Sequence, residues 1–187
     1  VEKAIRAGAT FIQLREKHLP YDEFVKAAYE IKAVTDKYKI PFVINDNAEV
    51  AIEVDADGIH VGQKDMEAEN VRKLIGENKI LGVSVHTVEQ ALRAEKMGAD
   101  YIGVGAVFTT ATKEDANNIS LETVKKICNS VTIPVVAIGG INKNNIMDLA
   151  GSGVDGVAVI SAIFAQPDIE MAVGELIELS NKMTAAL

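Results

Sequence analysis

Short apolar segments alternate with amphipathic segments along the whole chain, and this alternation constrains the fold more than any other feature. Seven apolar segments are rich in Val and Ile and are bounded by Gly, Asp or Pro: TFIQLRE, PFVIND, GIHVG, ILGVSVH, YIGVGAVF, PVVAIGG and GVAVISAIF. Continuous apolar runs of this length are typical of buried parallel strands. Because these strands alternate with helical segments, the sequence predicts a parallel α/β fold.

Amphipathic helices are predicted between the strands. Thr87 and Gln90 have the spacing of a capping box, and Gly76 and Gly98 stand where two of the helices should end. Apart from the alternation itself, the sequence shows no internal repeat, linker or low-complexity segment. Residues 1–187 are therefore predicted to form a single domain. The predicted helical stretches are YDEFVKAAYEIKAVTDKY, AENVRKLIG, TVEQALRAEKMGA, SLETVKKICNSV and EMAVGELIELSNKM.

Two parallel architectures fit this pattern, a closed (β/α)8 TIM barrel and an open doubly wound sheet. Polar residues follow many of the strands instead of clustering at one switch point, and no G-x-G-x-x-G follows a first strand, so the barrel is favoured. A barrel needs eight strands and the sequence shows seven. Because VEKAIRAGA reads as the second half of a helix, strand 1 is expected to be missing from this sequence, and TFIQLRE is expected to be the second strand.

The charge and composition narrow the class of protein. The 187 residues carry 19 basic and 27 acidic side chains, a net charge of −8, which argues against nucleic acid and anionic membranes as partners. No apolar run is long enough to span a bilayer. The single cysteine, Cys128, excludes an internal disulfide and is expected at a buried helix position. These features predict a cytoplasmic protein.

Glycine and small residues follow the last two predicted strands, in AIGGIN and VISAIF. Barrel enzymes often bind phosphate at this place through backbone N–H groups and the N-terminus of a short extra helix. The candidate phosphate-binding residues are Gly139, Gly140, Ile160 and Ser161. The alternative is that Gly139 and Gly140 only turn the chain.

Acidic side chains follow two neighbouring strands, in VIND and GQKD. Asn45, Asp46 and Asp65 would all stand at the same end of a barrel, and two carboxylates without a nearby His or Cys suit Mg²⁺. The alternatives are a helix N-cap for Asp65 and a strand-ending turn for Asn45 and Asp46. Strict alternation puts Asn45 and Asp46 on opposite faces, so one of them must turn inward in the loop.

Cationic side chains are expected near the same strand ends, at Arg15, Lys17 and Lys113. Three cations with one divalent metal suit a pyrophosphate group, above all one that leaves with growing charge. The alternative for Lys113 is a solvated loop charge. In FIQLREK, residues 11–17, one face would carry Phe11 in the core layer and then Gln13, Arg15 and Lys17 toward the carboxyl end of the strand.

The histidines give weaker signals. Ser84 should point inward, with His86 on the same face, and His60 is expected to be a hydrogen-bonded core residue. No Ser–His–Asp arrangement can be recognised. TTATK adds the hydroxyl groups of Thr110 and Thr112.

The motifs QLREK, VIND, GQKD, GVSVH, TTATK, AIGGI and VISAI occur in the order typical of thiamine-phosphate synthase, also called thiamine-phosphate pyrophosphorylase. The resemblance covers essentially the whole chain. It implies a transferase of thiamine biosynthesis that joins 4-amino-2-methyl-5-pyrimidinylmethyl diphosphate to 4-methyl-5-(2-phosphoethyl)thiazole, or its carboxylated form. The implied products are thiamine monophosphate and pyrophosphate, and the implied cofactor is Mg²⁺.

The resemblance also implies roles for particular residues. Arg15, Lys17 and Lys113 would stabilise the departing pyrophosphate, and Asp46 and Asp65 would hold Mg²⁺. The family usually has Gly-Pro and Pro-Thr where this chain has Gly105-Ala106 and Thr109-Thr110, so the strand 6 loop is less constrained here. The implied contacts to the pyrimidine diphosphate are Gln13, Arg15, Lys17, Asn45, Ser84 and Lys113, and those to the thiazole phosphate are Thr110, Thr112, Gly139, Gly140, Ile160 and Ser161.

Two other functions remain open from the sequence. A thiazole tautomerase of the same superfamily would need a histidine near the position of Ala106. A non-catalytic barrel that binds a phosphorylated metabolite would not need the Asp46 and Asp65 pair. The resemblance further suggests a homo-oligomer whose ligands are small phosphorylated molecules.

Overall fold

Seven parallel strands form one sheet in the computed structural model, which describes residues 1–63, 68–109 and 118–186. The strands pair in chain order, with registers such as Ile12 opposite Phe42 and Val136 opposite Gly156. The strands are β1 (Ile12–Leu14), β2 (Phe42–Asn45), β3 (Gly58–Val61), β4 (Ile80–Val85), β5 (Tyr101–Val104), β6 (Val135–Ile138) and β7 (Gly156–Ala158).

α-Helices connect successive strands from β1 to β6, as the sequence predicts. A 3₁₀ turn, Ile146–Leu149, lies between β6 and β7. In the part of the chain that the structure describes, no helix combines the length and the apolar character needed to cross a membrane. The helices are α1 (Glu2–Arg6), α2 (Tyr21–Tyr38), α3 (Ala48–Glu53), α4 (Ala68–Ile75), α5 (Val88–Lys96), α6 (Leu121–Cys128), α7 (Ser161–Phe164) and α8 (Ile169–Thr184).

The strand order decides between the two architectures. A doubly wound sheet reverses its order at a switch point, whereas here the order runs from β1 to β7 without reversal. The parallel α/β fold is thereby confirmed and the doubly wound sheet is excluded. Among the described residues no pairing joins β7 back to β1, so the closed (β/α)8 TIM barrel stays a prediction.

The hydrophobic core lies between the sheet and the helices. All residues of β2 and β3 are buried, because both faces of these two strands are covered. Side chains at alternate strand positions, such as Leu81, Val83 and Val85 in β4, enter this core. Fully buried large side chains include Phe42, Ile44, Ile59, Leu81, Ile102, Ile127, Ile146, Leu149 and Met183.

Local hydrogen bonds fix where several helices begin and end. The side-chain oxygen of Thr87 accepts from the Gln90 N–H at 3.2 Å, as predicted, and the Gln90 side chain accepts from the backbone N–H of His86. Gly76 and Gly98 have φ angles of 76° and 85° after α4 and α5, where a left-handed residue ends the helix. The other N-cap side chains that accept in this way are Asn47, Ser120 and Asp168.

Strand β1 is shorter than the sequence predicts. The Glu16 carboxylate accepts hydrogen bonds from the backbone N–H groups of Lys17 at 2.7 Å and His18 at 3.0 Å. The backbone after Leu14 therefore forms a turn around the Glu16 side chain and does not continue the strand. The same two bonds, from His18 and then Lys17, lower the pKa of Glu16. The predicted core position of Phe11 is wrong, because Phe11 precedes β1 and is 39% exposed.

An aspartate directly before every second strand holds the strand pair together at its N-terminal end. The Asp57 carboxylate accepts from Phe42 N at 2.8 Å, and the Asp57 N–H donates to Phe42 O at 2.9 Å. Asp100 and Asp155 make the same two bonds to Leu81 and Val135. The three segments ADGIHV, ADYIGV and VDGVAV therefore form an aspartate repeat, which is part of the strand–helix alternation that the sequence shows.

Candidate functional site

The carboxyl ends of the strands bring several predicted residues to one edge of the sheet. Gln13 lies in β1, Asn45 ends β2, Asp46 follows it, and Ser84 lies near the end of β4. Because all seven strands are parallel, these positions share an edge. Four further predicted residues, Asp65, Thr110, Thr112 and Lys113, lie outside the described residues.

A chain of hydrogen bonds crosses the inner face of the sheet from β1 to β4. The Gln13 side chain is hydrogen-bonded to the Tyr101 hydroxyl group, which lies 2.8 Å from His60 Nδ1. His60 Nε2 lies 2.8 Å from Ser84 Oγ. Ser84 therefore points inward, as predicted, and His60 is the hydrogen-bonded interior residue that the sequence predicts, with 7% of its surface exposed.

The donors in this chain follow from the chemistry of its members. Burial raises the pKa of the Tyr101 phenol above its usual range, and the bond from Gln13 opposes that rise only in part, so the phenol stays protonated. With Gln13 donating to the phenol oxygen, we assign the phenol hydrogen to His60 Nδ1. His60 then carries its proton on Nε2 and donates to Ser84 Oγ. The Ser84 hydroxyl hydrogen is left to donate into the pocket.

Two glycines make room for these side chains. A Cβ atom at Gly82 would lie 2.3 Å from the Tyr101 ring, and a Cβ atom at Gly103 would lie 3.1 Å from the His60 ring. Phe11 packs edge-on against Tyr101, with ring centroids 5.6 Å apart. The inner face of the sheet is therefore shaped by aromatic rings that lie beside glycines, on the next strand for Tyr101 and two strands away for His60.

An ion pair joins the ends of β1 and β2. Lys17 Nζ lies 2.6 Å from Asp46 Oδ2, and the Asp46 side chain is 23% exposed. Asp46 has a φ angle of 64°, and its N–H donates to His60 O at 2.8 Å. This left-handed turn explains how Asn45 and Asp46 escape the strict alternation of the strand, as the sequence predicts. Arg15 is exposed in the same β1–α2 loop.

Gln63 ties β3 to β4 at this edge. Its side-chain Nε2 donates to Ser84 O at 2.7 Å. Ser84 is therefore held through both its hydroxyl and its carbonyl group. Asn45, one residue inside the edge, is 9% exposed.

Gly139 and Gly140 allow a neighbouring loop to approach closely. Both have positive φ angles, 103° and 65°. A Cβ atom at Gly139 would lie 2.6 Å from Ala106, and one at Gly140 would lie 2.4 Å from the carbonyl oxygen of Thr109. Phe108 N donates to Gly139 O at 3.0 Å. The glycines therefore do more than turn the chain, since they let the segment after β5 pack onto the loop after β6.

The loop after β6 is fixed by its asparagines. The side chains of Asn142 and Asn145 both donate to Gly140 O, at 3.1 and 3.0 Å. After β7, Ile160 and Ser161 begin the short helix α7, which matches the predicted extra helix. Both residues are exposed, so this end of the last strand is open to a ligand.

Ala106 stands where the related tautomerase would carry histidine. The residue is 7% exposed, its carbonyl oxygen accepts from Ile119 N at 2.8 Å, and the Gly105–Ala106 peptide is cis. The side chain at this position is a methyl group and cannot transfer a proton.

Sequence reasoning missed the contributions of Tyr101 and Gln63 to this edge. Tyr101 could have been found from its neighbour. It is a large polar residue on the strand next to Gly82, and the two residues are paired in the register of the sheet. Gln63 is part of the GQKD motif, but the sequence could not indicate its contact, because its partner is a backbone carbonyl group on the next strand.

The sequence profile of the family described as thiamine monophosphate synthase matches residues 1–163. The chain belongs to the thiamine monophosphate synthase family. It is 53% identical over 182 residues to a thiamine-phosphate synthase of Clostridium tetani, which covers 97% of this chain and 87% of that protein.

Solved structures agree with membership of the thiamine monophosphate synthase family. A thiamine phosphate pyrophosphorylase from Pyrococcus furiosus superimposes with a TM-score of 0.90 at 44% identity, covering 97% of this chain and 88% of that chain. A thiamine phosphate pyrophosphorylase from Bacteroides thetaiotaomicron, at 19% identity and a TM-score of 0.62 over 98% of this chain and 88% of that one, shares the fold. The predicted family is confirmed.

Proposed function

We propose that this protein is a thiamine-phosphate synthase, which joins 4-amino-2-methyl-5-pyrimidinylmethyl diphosphate to the thiazole phosphate and releases pyrophosphate. The observation that carries the proposal is the Lys17–Asp46 ion pair beside the chain of hydrogen bonds that ends at Ser84. A cation, a carboxylate and a polar, aromatic-lined face suit a substrate that is a flat aminopyrimidine at one end and a diphosphate at the other.

The pyrimidine would lie on the inner face of the sheet. Gln13, Asn45 and Ser84 present amide and hydroxyl groups there, and an aminopyrimidine ring offers both donors and acceptors to such groups. Because Ser84 is held through His60 and Gln63, its hydroxyl group is oriented before the ligand arrives, which reduces the entropy lost on binding.

Arg15, Lys17 and Lys113 are proposed to bind the diphosphate. Arg15 and Lys17 lie in the loop after β1, beside the proposed position of the pyrimidine. Guanidinium and ammonium groups make strong charge-assisted hydrogen bonds to phosphate oxygens.

Asp46 and Asp65 are proposed to hold Mg²⁺. The Asp46 carboxylate fits this role, because it is a hard oxygen donor, partly exposed, at the edge where the diphosphate would lie. Among the described residues no group of three or more His, Cys, Asp or Glu could hold a metal, and Mg²⁺ is commonly bound by one or two carboxylates together with substrate phosphates and water. When bound, Mg²⁺ would neutralise the charge of the departing pyrophosphate.

The reaction needs no protein nucleophile. The C–O bond between the pyrimidine methylene carbon and the diphosphate breaks, and its electron pair leaves on the pyrophosphate oxygen. The lone pair of the thiazole nitrogen forms the new C–N bond to the same carbon, so no proton is transferred. Arg15, Lys17 and Lys113 would stabilise the charge that grows on the leaving group, and the pocket would hold the two substrates together.

The thiazole phosphate is proposed to bind at Gly139, Gly140, Ile160 and Ser161, together with Thr110 and Thr112. The fixed loop after β6 and the start of α7 offer backbone N–H groups at this edge, which is the common phosphate position in barrel enzymes. The packing role of Gly139 and Gly140 is compatible with this proposal, because a rigid loop also presents its N–H groups in fixed directions.

The synthase is favoured over the two other functions. A tautomerase needs a proton-transfer group at position 106, where this chain has a buried methyl group. A sensor of a monophosphate would not need a carboxylate and a cation at the neighbouring strand ends.

The direct test is incubation of the full-length protein with both substrates and Mg²⁺, with detection of thiamine monophosphate and pyrophosphate. Asp46→Ala and Lys113→Ala should each lower kcat/KM by roughly 10²- to 10³-fold while the circular dichroism spectrum is unchanged. Lys37→Ala is the control and should keep normal activity. It removes a cation of α2 that is paired with Glu2 of α1. Near-normal pyrophosphate release by either site variant would contradict the assigned roles.

The closed barrel and the cellular setting are further proposals. An eight-stranded barrel would need one more strand between β7 and β1, and the unbroken strand order supports it. The net charge of −8 supports a protein that works in the cytoplasm on small phosphorylated molecules, without nucleic acid or membrane partners. A crystal structure of the full-length protein, with light scattering for the predicted homo-oligomer, would test these points.

A further inference from the structure

The Lys17–Asp46 ion pair joins two residues with different proposed tasks. Asp46 is proposed to hold Mg²⁺, and Lys17 is proposed to bind the diphosphate. In the structure the ammonium group of Lys17 lies 2.6 Å from Asp46 Oδ2, so it contacts the carboxylate group that would hold the metal.

Both ends of this pair are fixed by their own backbone contacts. The Glu16 carboxylate accepts the N–H groups of Lys17 and His18, which sets the direction of the chain as it leaves β1. The Asp46 N–H donates to His60 O, and the left-handed φ angle of Asp46 turns its side chain out of the strand. The pair is therefore a contact between two anchored strand ends, 29 residues apart in sequence.

A metal ion and the Lys17 ammonium group would repel each other if both contacted the Asp46 carboxylate. Two positive charges within about 4 Å repel, and the repulsion is larger at a partly buried site than in bulk water. The Asp46 side chain is 23% exposed and the Lys17 side chain 43%, so solvent screens the charges only in part. Binding of the metal to Asp46 therefore favours displacement of the ammonium group.

We propose that Lys17 is an internal counter-ion of Asp46 that competes with the metal, and that pyrophosphate ends this competition by accepting Lys17. The inference rests on the proposed function, because it takes the metal and diphosphate roles from it. Once a diphosphate is present, the displaced ammonium group gains new anionic oxygens, and the metal gains both Asp46 and the phosphate oxygens. Neither ligand alone offers this exchange.

Two consequences follow for binding. The metal alone should bind weakly, because it must break the ion pair without compensation for Lys17. Metal and pyrophosphate should favour each other's binding, and by thermodynamic linkage the effect must be equal in both directions. Lys17 would thus make the site accept its metal together with the diphosphate.

The first experiment measures binding of Mn²⁺ alone to the full-length protein, with free Mn²⁺ followed by electron paramagnetic resonance. Lys17→Met removes the competing charge and should bind Mn²⁺ roughly three- to tenfold more tightly than the wild type. Lys17→Gln should behave in the same way, and Lys17→Arg should resemble the wild type. Lys37→Met changes the net charge equally at the distant pair with Glu2 and should leave the affinity unchanged.

The second experiment titrates the same proteins with inorganic pyrophosphate at a fixed excess of Mg²⁺, by calorimetry. The order of affinities should now reverse. Lys17→Met should bind pyrophosphate roughly 10- to 100-fold more weakly than the wild type, because the charge-assisted bonds of the ammonium group are lost.

The outcomes separate this inference from the proposed function. The proposed competition is overturned if Lys17→Met and Lys17→Gln bind Mn²⁺ no more tightly than the wild type. Absence of Mn²⁺ binding by all of the proteins would overturn it too. Asp46→Asn should lose Mn²⁺ binding, and full retention would show that Asp46 is not a ligand. Failure of the synthase itself would appear only in the assay with both organic substrates, which neither titration contains.

Discussion

Ser152 has a buried hydroxyl group without a hydrogen-bond partner among the described residues. The residue is 4% exposed in the turn before β7. A buried polar atom without a partner loses its hydration and gains nothing in return. Substitution by alanine removes this cost and leaves the packing of Cβ intact.

We expect Ser152→Ala to raise the free energy of unfolding by about 1 kcal/mol, which corresponds to a Tm increase of roughly 2–4 °C for a domain of this size. Ser130→Ala is the control, because Ser130 Oγ donates to Ile127 O at 2.8 Å and its removal should not stabilise the protein. A lower Tm for Ser152→Ala would show that the hydroxyl group has a partner such as a bound water.

Gly82 is the second residue whose substitution should have a clear effect. We expect Gly82→Ala to cost about 1–3 kcal/mol and to lower activity, because the new methyl group would force the Tyr101 ring away from His60. Gly156→Ala is the matched control in β7, where a Cβ atom would meet nothing within 4 Å. Urea unfolding and kcat/KM check both variants. Equal effects in the two strands would refute the proposed steric conflict.

The aspartates that precede β3, β5 and β7 act on whole strand pairs. Removing the Asp155 carboxylate leaves the Val135 N–H without its acceptor, so Asp155→Ala should lower the free energy of unfolding by roughly 1–2 kcal/mol. Asp100→Ala should cost more, since Asp100 also pairs at 2.5 Å with Arg72, whose side chain is only 9% exposed.

Urea unfolding with Asp148→Ala as the control tests this prediction. Asp148 lies exposed in the 3₁₀ turn, and its replacement should change stability by less than about 0.5 kcal/mol. If Asp155→Ala proves as stable as Asp148→Ala, the repeated aspartate contacts do not stabilise the strand pairs.

Strands and most helices could be predicted because their signals are local. Apolar runs, Gly76 and Gly98 after helices and the Thr87 cap depend on residues near in sequence, and the structure confirms them. The shortening of β1 could not be predicted, because the Glu16 carboxylate competes with a neighbouring strand for the same N–H groups. Helix α3 (Ala48–Glu53) was also missed, since six residues give too short a periodic pattern.

The site could be predicted in part for the same reason. Strand ends predict which residues share an edge, so Gln13, Asn45, Asp46 and Ser84 could be expected together. Which of them touch could not be predicted, because the Tyr101–His60 contact joins residues 41 positions apart through the curvature of the sheet. Charge alone also does not show that Lys17 pairs with Asp46.

The N-terminal and carboxyl ends of the strands have different roles in the molecule. The N-terminal ends of the strands carry the aspartate contacts and the Arg72–Asp100 pair, and the carboxyl ends carry the proposed catalytic groups. In parallel barrels the first end serves stability and the second serves chemistry. Substitutions at the two ends should therefore separate cleanly into two classes.

We expect Ser84→Ala to lower kcat/KM by at least roughly tenfold with only a small change in Tm, because the partly buried Ser84 hydroxyl group faces the ligand and a water molecule can accept from His60 in its place. Asp155→Ala should show the opposite pattern, a lower Tm with nearly unchanged kcat/KM at 25 °C. Measuring Tm and kcat/KM for both proteins tests the division. A large Tm loss in Ser84→Ala would show that the hydrogen-bond chain also supports the fold.

The aspartate repeat groups the strands into pairs: β2 with β3, β4 with β5, and β6 with β7. The two extra hydrogen bonds in each pair favour its opening as one unit, so its amide groups should exchange with deuterium together. Strand β1 belongs to no such unit and lies at an edge of the sheet. Its amides should exchange first, and the loop after β1, which carries Arg15 and Lys17, can therefore rearrange around a ligand without opening the paired strands.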